Sequence, residues 1–362
     1  MFAPLLPPLL PPYWGCLSGF ARLVIYANSQ NDEGRGSDAN EPSAPSPPKQ
    51  LTREDYTVGW LAMSYIDQAA AIAMLDETHS QLEMDPGNIR NYRYGEIGGH
   101  NIVITSLDWE GCKATNAASI ADDVYHTFPS LRMMFMVGVA SGVPGDVDVR
   151  LGDVVVGTSV IEYVGLSAYP DEDSIGITGV SVIPPMLLRW GIQEMEALDE
   201  MDPHQVPSII RRTVHEIGQK NPHIQQYSCR DSLQDLLFES TYKHTKPGKA
   251  CDECDRSHLV ERTPREDDCP VIHYGRIGTS STIVENAGLR DKLAQLKPAL
   301  CLESGNGRAI DFFKALMVCS IGDYADSHKN PEWEQYAAAT AAAYTKVYLG
   351  QLPLSLTKTI ES

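Results

Sequence analysis

The chain has 362 residues, 43% hydrophobic and 21% charged, and its 29 Lys+Arg against 48 Asp+Glu leave a formal net charge of −19. That length suits one large α/β domain or two smaller ones. The acidic balance argues against a nucleic-acid backbone or an anionic membrane as the main partner and favours a soluble protein with a small-molecule ligand. Eight cysteines at irregular spacings form no small disulfide scaffold, which suits a reducing, cytoplasmic compartment.

The opening "MFAPLLPPLLPPYWGCLSGFARLVIYA" is apolar, but prolines at positions 4, 7, 8, 11 and 12 forbid a continuous helix. It lacks the basic start of a secretory signal, and "LSGFARLVIYA" is too short to span a bilayer, so no membrane partner is expected. "NSQNDEGRGSDANEPSAPSPPKQ" follows, rich in Pro and Ser. Residues 1–50 are therefore expected to be a disordered segment, 51–352 the folded domain and 353–362 a short tail.

Within the domain, "YTVGWLAMS" (56–64) reads as a buried strand and "IDQAAAIAMLDETH" (66–79) as a helix. "NYRYGEIGGHNIVITSL" (91–107) reads as a hairpin about Gly98-Gly99. "ATNAASIADDVYHTF" (114–128) is helical in pattern, and "LRMMFMVGVASGVP" (131–144) is a strand running into a glycine-containing loop. "RLGDVVVGTSVIEY" (150–163) is a turn and a strand, and 185–220 reads as two helical pieces broken by Pro203 and Pro207. Residues 221–270 are polar and read as an insertion. "VIHYGRIGTS" (271–280), "ALCLES" (299–304) and "ALMVCSIGD" (315–323) are further strands, with helices over 283–295 and 332–350. The alternation predicts one three-layer α/β domain, a mixed twisted sheet flanked by helices on both faces. Ligands in such sheets sit at the carboxyl ends of strands. Loops at 64–67, 138–144, 278–281 and 322–326 are expected to converge there.

"CSIGDYADSHKN" (319–330) places Asp323 at the lip of a buried strand, with Asp326 and His328 close behind. Desolvation there raises a carboxyl pKa, which suits a proton donor near neutral pH. A strand end followed by an Asp helix cap is the alternative. Cys251-x-x-Cys254 lies in the insertion with Cys229, Cys269 and His258 around it. A zinc site on Cys251 and Cys254 and a plain reduced turn both fit; the domain itself requires no metal.

Taken together, "YTVGWLAMSYIDQAAAIAML", "GGHNIVI", "FPSLRMMFMVGVASGVPGDVDVRLGDVVVG", "VIHYGRIGTSSTIVENAGLRDKLA" and "SIGDYADSHKN…YAAATAAAY" resemble the nucleoside phosphorylase superfamily over about residues 55–350. More narrowly they look like the fungal purine and uridine phosphorylase-like domains found at the front of NLR-like proteins, related to methylthioadenosine/S-adenosylhomocysteine nucleosidases. The resemblance implies a phosphorylase/hydrolase-like fold that cleaves the N-glycosidic bond of a purine nucleoside, by phosphorolysis or hydrolysis. It implies no cofactor beyond phosphate as a co-substrate, and a homo-oligomer.

The same resemblance implies roles. Asp323 matches the acid over the leaving base. Gly138, Ser141 and Gly142 match a glycine-rich loop whose N–H groups face phosphate or the attacking water. Asp67 stands where the nucleosidases hold that water, and it also reads as a helix cap. Thr279 and Ser280 match the base-binding loop, or a plain loop, and His273 and Tyr274 read as strand packing. Glu303 matches the ribose site. Three positions depart from the pattern: Ser304 replaces a Met, Gly305 the second ribose-binding Glu, and Cys319 an Arg. The departure at Gly305 supports an alternative, a catalytically impaired nucleoside-binding or sensor module of an NLR-type protein. Arg132 precedes its strand and Arg150 belongs to the "RLGD" turn, so no Arg accompanies the loop to meet phosphate, which tilts the reading toward hydrolysis.

Overall fold

The structure is a computed structural model that describes residues 51–83, 90–107, 114–164, 176–177, 181–230, 232–244, 251–304 and 309–356, without the side chains of 114–119. These fall in one unit, Ser46–Ser362. The expected disordered segment 1–50, most of the tail, and Gly305 lie outside the described residues.

Strand β1 (Val58–Ala62) is buried on both faces. It leads into α1 (Tyr65–Ala73), whose start is set by Ser64: its hydroxyl accepts the Asp67 N–H at 3.2 Å. The helix is shorter than the pattern over 66–79 predicts. The chain is instead captured at the sheet edge, where the Asp76 N–H bonds to the Glu96 carbonyl and Glu77–Thr78 forms β2. β3 (Arg93–Ile97) and β4 (His100–Ser106) make the expected hairpin. Gly98 and Gly99 both carry positive φ, +58° and +86°, as a tight two-residue hairpin turn requires.

After α2 (Ala114–Thr127) come β5 (Met133–Gly142), β6 (Val154–Val164) and the short β7 (Gly176–Ile177). The helical stretch divides at Pro203, into α3 (Met186–Met201) and α4 (Gln205–Lys220), while Pro207, expected to break it too, does not. Pro207 sits in the first turn of α4, where an N–H has no helical acceptor to lose. Then follow β8 (Ile272–Ser280), α5 (Ala287–Leu296), β9 (Cys301–Ser304), α6 (Ala309–Phe313), β10 (Leu316–Asp323) and α7 (Glu332–Gln351).

The ten strands among the described residues form one mixed sheet. β4, β1, β5 and β10 run parallel, with the β3 and β2 hairpin edge beyond β4. Beyond β10 the sheet curls back on itself. β10 pairs with β6, β6 with β8, β8 with β9, and β9 returns to β5, closing a five-stranded ring. Uninterrupted apolar strands such as β1 and β10 need cover on both faces. Much of it comes from α7, whose alanines 337–339 and 341–343 are all buried and let the helix lie close to β5 and β10.

The polar stretch 221–270 holds no α-helix among its described residues. It is fastened by arginines: Arg262 bonds Asp235 at 2.8 Å and the Tyr324 hydroxyl at 2.9 Å, and Arg265 bonds Asp153 at 2.7 Å.

Candidate active site

β5 and β10 end side by side. Their register shifts between Ile321, opposite Ala140, and Asp323, opposite Ser141, which leaves Gly322 as an extra residue. Such a bulge re-aims the side chain that follows it. Here it delivers Asp323 to a cavity of about 250 Å³ that is also lined by Met63, Ser64, Asp67, Ser141 and Glu303. Four residues placed by resemblance, from positions 67, 141, 303 and 323, thus meet on one surface. Asp323 Oδ1 accepts the Ala325 N–H at 2.8 Å, and Oδ2 lies 3.7 Å from Lys329 Nζ.

Asp67 is 4% exposed. Burial drives its pKa up to about 7, against a 2.8 Å hydrogen bond donated by the Ser64 hydroxyl, and Glu334 adds to the rise. Its Oδ1 has no hydrogen-bond partner. The cap reading of Asp67 is corrected: the N-cap of α1 is Ser64, and Asp67 lies in the first turn. Its own N–H is capped by Ser64, while its carboxylate faces the cavity.

Lys329 and Glu334 are cavity residues that the sequence reading passed over. Burial opposes the Lys329 charge, yet Asp323 and Glu285, at 3.7 and 2.9 Å, raise its pKa. The available signal was its place six residues after Asp323 in one polar run. Glu334 carried no signal of its own, being one of two acids in the first turn of α7.

Two expectations are corrected. Residues 138–142 are not an open loop. Gly138, Ser141 and Gly142 lie inside β5, paired with β10 or β9, so the ladder engages this backbone instead of presenting it to an anion. Ser141 still borders the cavity; Gly138 and Gly142 do not. Likewise 278–281 does not converge on the cavity, because β8 continues to Ser280 in register with β6 and β9. The Thr279 hydroxyl donates to the Ile161 carbonyl at 3.3 Å and that of Ser280 to the Thr282 carbonyl, and Ile283 reaches the cavity in their place.

Other residues fall as packing. His273 and Arg265 hold the buried Asp153, and the Tyr274 hydroxyl donates to Asp199 at 2.7 Å. Asp326 turns onto the His328 N–H at 2.7 Å, and burial raises its pKa. Cys319 is fully buried at the position of the expected Arg. A second cavity, of about 290 Å³, is lined by Arg150, Arg230, Arg262 and Arg265. Asp148, Asp235 and Asp153 already bind three of these guanidiniums, and Arg230 bonds the Leu233 carbonyl and stacks on Trp333, so that wall is a structural ion network. For a metal, the structure groups His244 with Cys251 and Cys254; Cys229, Cys269 and His258 do not join them.

No profile of a known protein family matches the chain. A nucleotide-binding leucine-rich repeat (NLR)-like protein of the fungus Hyaloscypha variabilis is 33% identical over 308 residues, 83% of this chain. The chain spans about 30% of that relative's length. Among solved structures, one from Francisella philomiragia assigned as a 5′-methylthioadenosine/S-adenosylhomocysteine nucleosidase covers 82% of this chain and 99% of its own, with TM-score 0.50 and 13% identity. The chain has the nucleoside phosphorylase-like fold. The futalosine hydrolase of Helicobacter pylori is also similar, with TM-score 0.48 and 12% identity over 82% of this chain and 98% of its own. In this phosphorylase-like fold the cavity lies at the carboxyl ends of β5 and β10, where parallel strands of an α/β sheet usually receive a ligand. Among the described residues, no helix is long and apolar enough to cross a membrane.

Proposed function

We propose that the chain binds a nucleoside in this cavity and cleaves its N-glycosidic bond with water as the acceptor. The observation that supports this reading is the meeting of Asp67, Glu303 and Asp323 on the walls of one cavity. Three demands of the chemistry correspond to three carboxyl groups. The leaving base needs a proton, and Asp323 is the acid that donates it to the departing nitrogen. The sugar becomes oxocarbenium-like, and Glu303 holds its hydroxyls and tolerates the positive charge. The water needs a base, and a carboxyl pushed up to about 7 is suited to take its proton at neutral pH, which is the role of Asp67. The products are the free base and the free sugar.

Charge favours water over phosphate. Asp67, Glu303, Asp323 and Glu334 face the cavity against Lys329 as the cation among its described lining residues. A wall of that sign attracts a cationic transition state and repels a phosphate dianion. Release of free base from adenosine and 5′-methylthioadenosine, measured by chromatography with and without phosphate, tests the reading. Phosphate-independent release that falls in Asp323→Asn and Asp67→Asn is expected. No release by the wild type under either condition overturns it.

The match to an NLR-like protein favours a second reading, a module that binds a nucleoside without turning it over. Calorimetry separates the two: saturable adenosine binding with no base released over hours marks the sensor.

A further inference from the structure

The cluster outside the cavity carries a distinct chemistry. One ligand atom each from His244, Cys251 and Cys254 lies within 4.8 Å of the others, and all three residues are buried. The Cys254 N–H bonds the Cys251 carbonyl at 3.1 Å, a turn that directs both sulfurs to one side. Neither cysteine is in a disulfide. An unusual imidazole stands beside His244 and against Phe238, which packs with both cysteines. His328 has a side chain only 2% exposed, yet neither ring nitrogen makes a hydrogen bond. It stacks on Phe238 at 4.2 Å, its ring centre is 5.3 Å from that of His244, and the nearest carboxylate, Asp326, is 3.7 Å from Nδ1. A buried imidazole without hydrogen bonds forfeits its solvation unless something else binds it.

We propose that the chain holds a structural zinc ion on Cys251 Sγ, Cys254 Sγ and ring nitrogens of His244 and His328. Two sulfurs and two imidazoles make a closed tetrahedral set typical of structural zinc, and soft thiolates select it over magnesium or calcium. Zinc holds sulfur at about 2.3 Å and nitrogen at about 2.0 Å, so Cys251, Cys254 and His244 draw in and the His328 ring moves onto the ion. Binding releases the two thiol protons to solvent. The ion joins His244 and the Cys251–Cys254 turn to the loop after β10, which the His244 N–H already touches through Ser327 Oγ at 2.9 Å. It thereby fixes the loop that follows Asp323 and carries Lys329.

The test is metal content and cobalt spectroscopy on the full chain, purified under reducing conditions without chelator. One zinc per chain is expected in the wild type and in Cys229→Ser and Cys269→Ser. Cys251→Ser/Cys254→Ser should hold none. Cobalt(II) replacing zinc should give tetrahedral d–d bands with sulfur charge-transfer absorption, and His328→Ala should weaken metal retention at least tenfold in competition with a chromophoric chelator. A chelator should lower the wild-type melting temperature and leave that of the double variant unchanged. Wild type that contains no zinc and takes up no stoichiometric cobalt overturns the site. Unchanged retention in His328→Ala overturns the assignment of the fourth ligand.

Discussion

Gly138 lies directly against the Asp67 carboxylate: a Cβ at position 138 would sit 2.7 Å from Asp67 Oδ2 and 3.0 Å from Met63 Cβ. The absence of a side chain on β5 is what allows this acid to enter the cavity wall from α1. Gly138→Ala should displace Asp67, costing about 1–3 kcal/mol of stability through overpacking and most of the base-releasing activity. A double-mutant cycle with Asp67→Ala, followed by urea denaturation, checks the cause. The alanine at 138 should cost much less once the carboxylate is gone.

Asp67 should also make stability fall as pH rises. Its carboxyl is raised by burial from 3.8 to about 7, so the folded chain holds this proton more tightly than the unfolded chain. The contribution is complete below pH 4 and is lost as pH climbs through 7. The full displacement corresponds to about 4 kcal/mol. Asp67→Asn, which keeps an acceptor for Ser64, should match wild type near pH 4 and exceed it by about 2–4 kcal/mol at pH 8. Denaturation curves at pH 4.5, 6 and 8 measure this difference.

Glu303→Gln retains shape and removes charge at a residue only 2% exposed. If its carboxylate steadies a cationic sugar, kcat/KM should drop by about a hundredfold or more, roughly 3 kcal/mol, while the melting temperature changes little. Steady-state kinetics beside a thermal melt separates the two effects.

Asp153 is a stability element whose side chain faces away from the cavity lining, toward Arg265 and His273. It is fully buried and accepts from both Arg265 guanidinium nitrogens, from His273 at 2.9 Å and from the Arg150 and Val271 N–H groups. Against the desolvation of burial, the Arg265 and His273 bonds hold its carboxyl below the ordinary range. Asp153→Ala strands these donors and should cost about 3–5 kcal/mol in urea denaturation. Asp153→Asn, which keeps two of the acceptor contacts, should cost less.

Some of the site was legible before any coordinates. Asp323 stood out as a carboxylate at the lip of a buried strand, although a strand end followed by a cap fitted that stretch as well. Asp67 stood out through the resemblance; Ser64, the actual cap of α1, was not singled out. Thr279 and Ser280 misled because hydroxyls in a loop and hydroxyls bonded to their own strand backbone look the same in one dimension. His244 was not singled out as a ligand, since nothing in its neighbourhood of sequence resembles a metal motif.

What the sequence determined by itself is what short-range physics controls. Hydrophobic runs and periods named the strands and helices, Gly98-Gly99 set the hairpin, and proline marked the break between α3 and α4. Only the tertiary structure decided that β9 returns to β5 and closes a ring, that 138–142 is ladder and not loop, and that acids from positions 67, 303 and 323 share one wall. Those outcomes depend on strand pairings between segments more than 150 residues apart, and a pairing energy belongs to two segments jointly, so neither segment alone carries it.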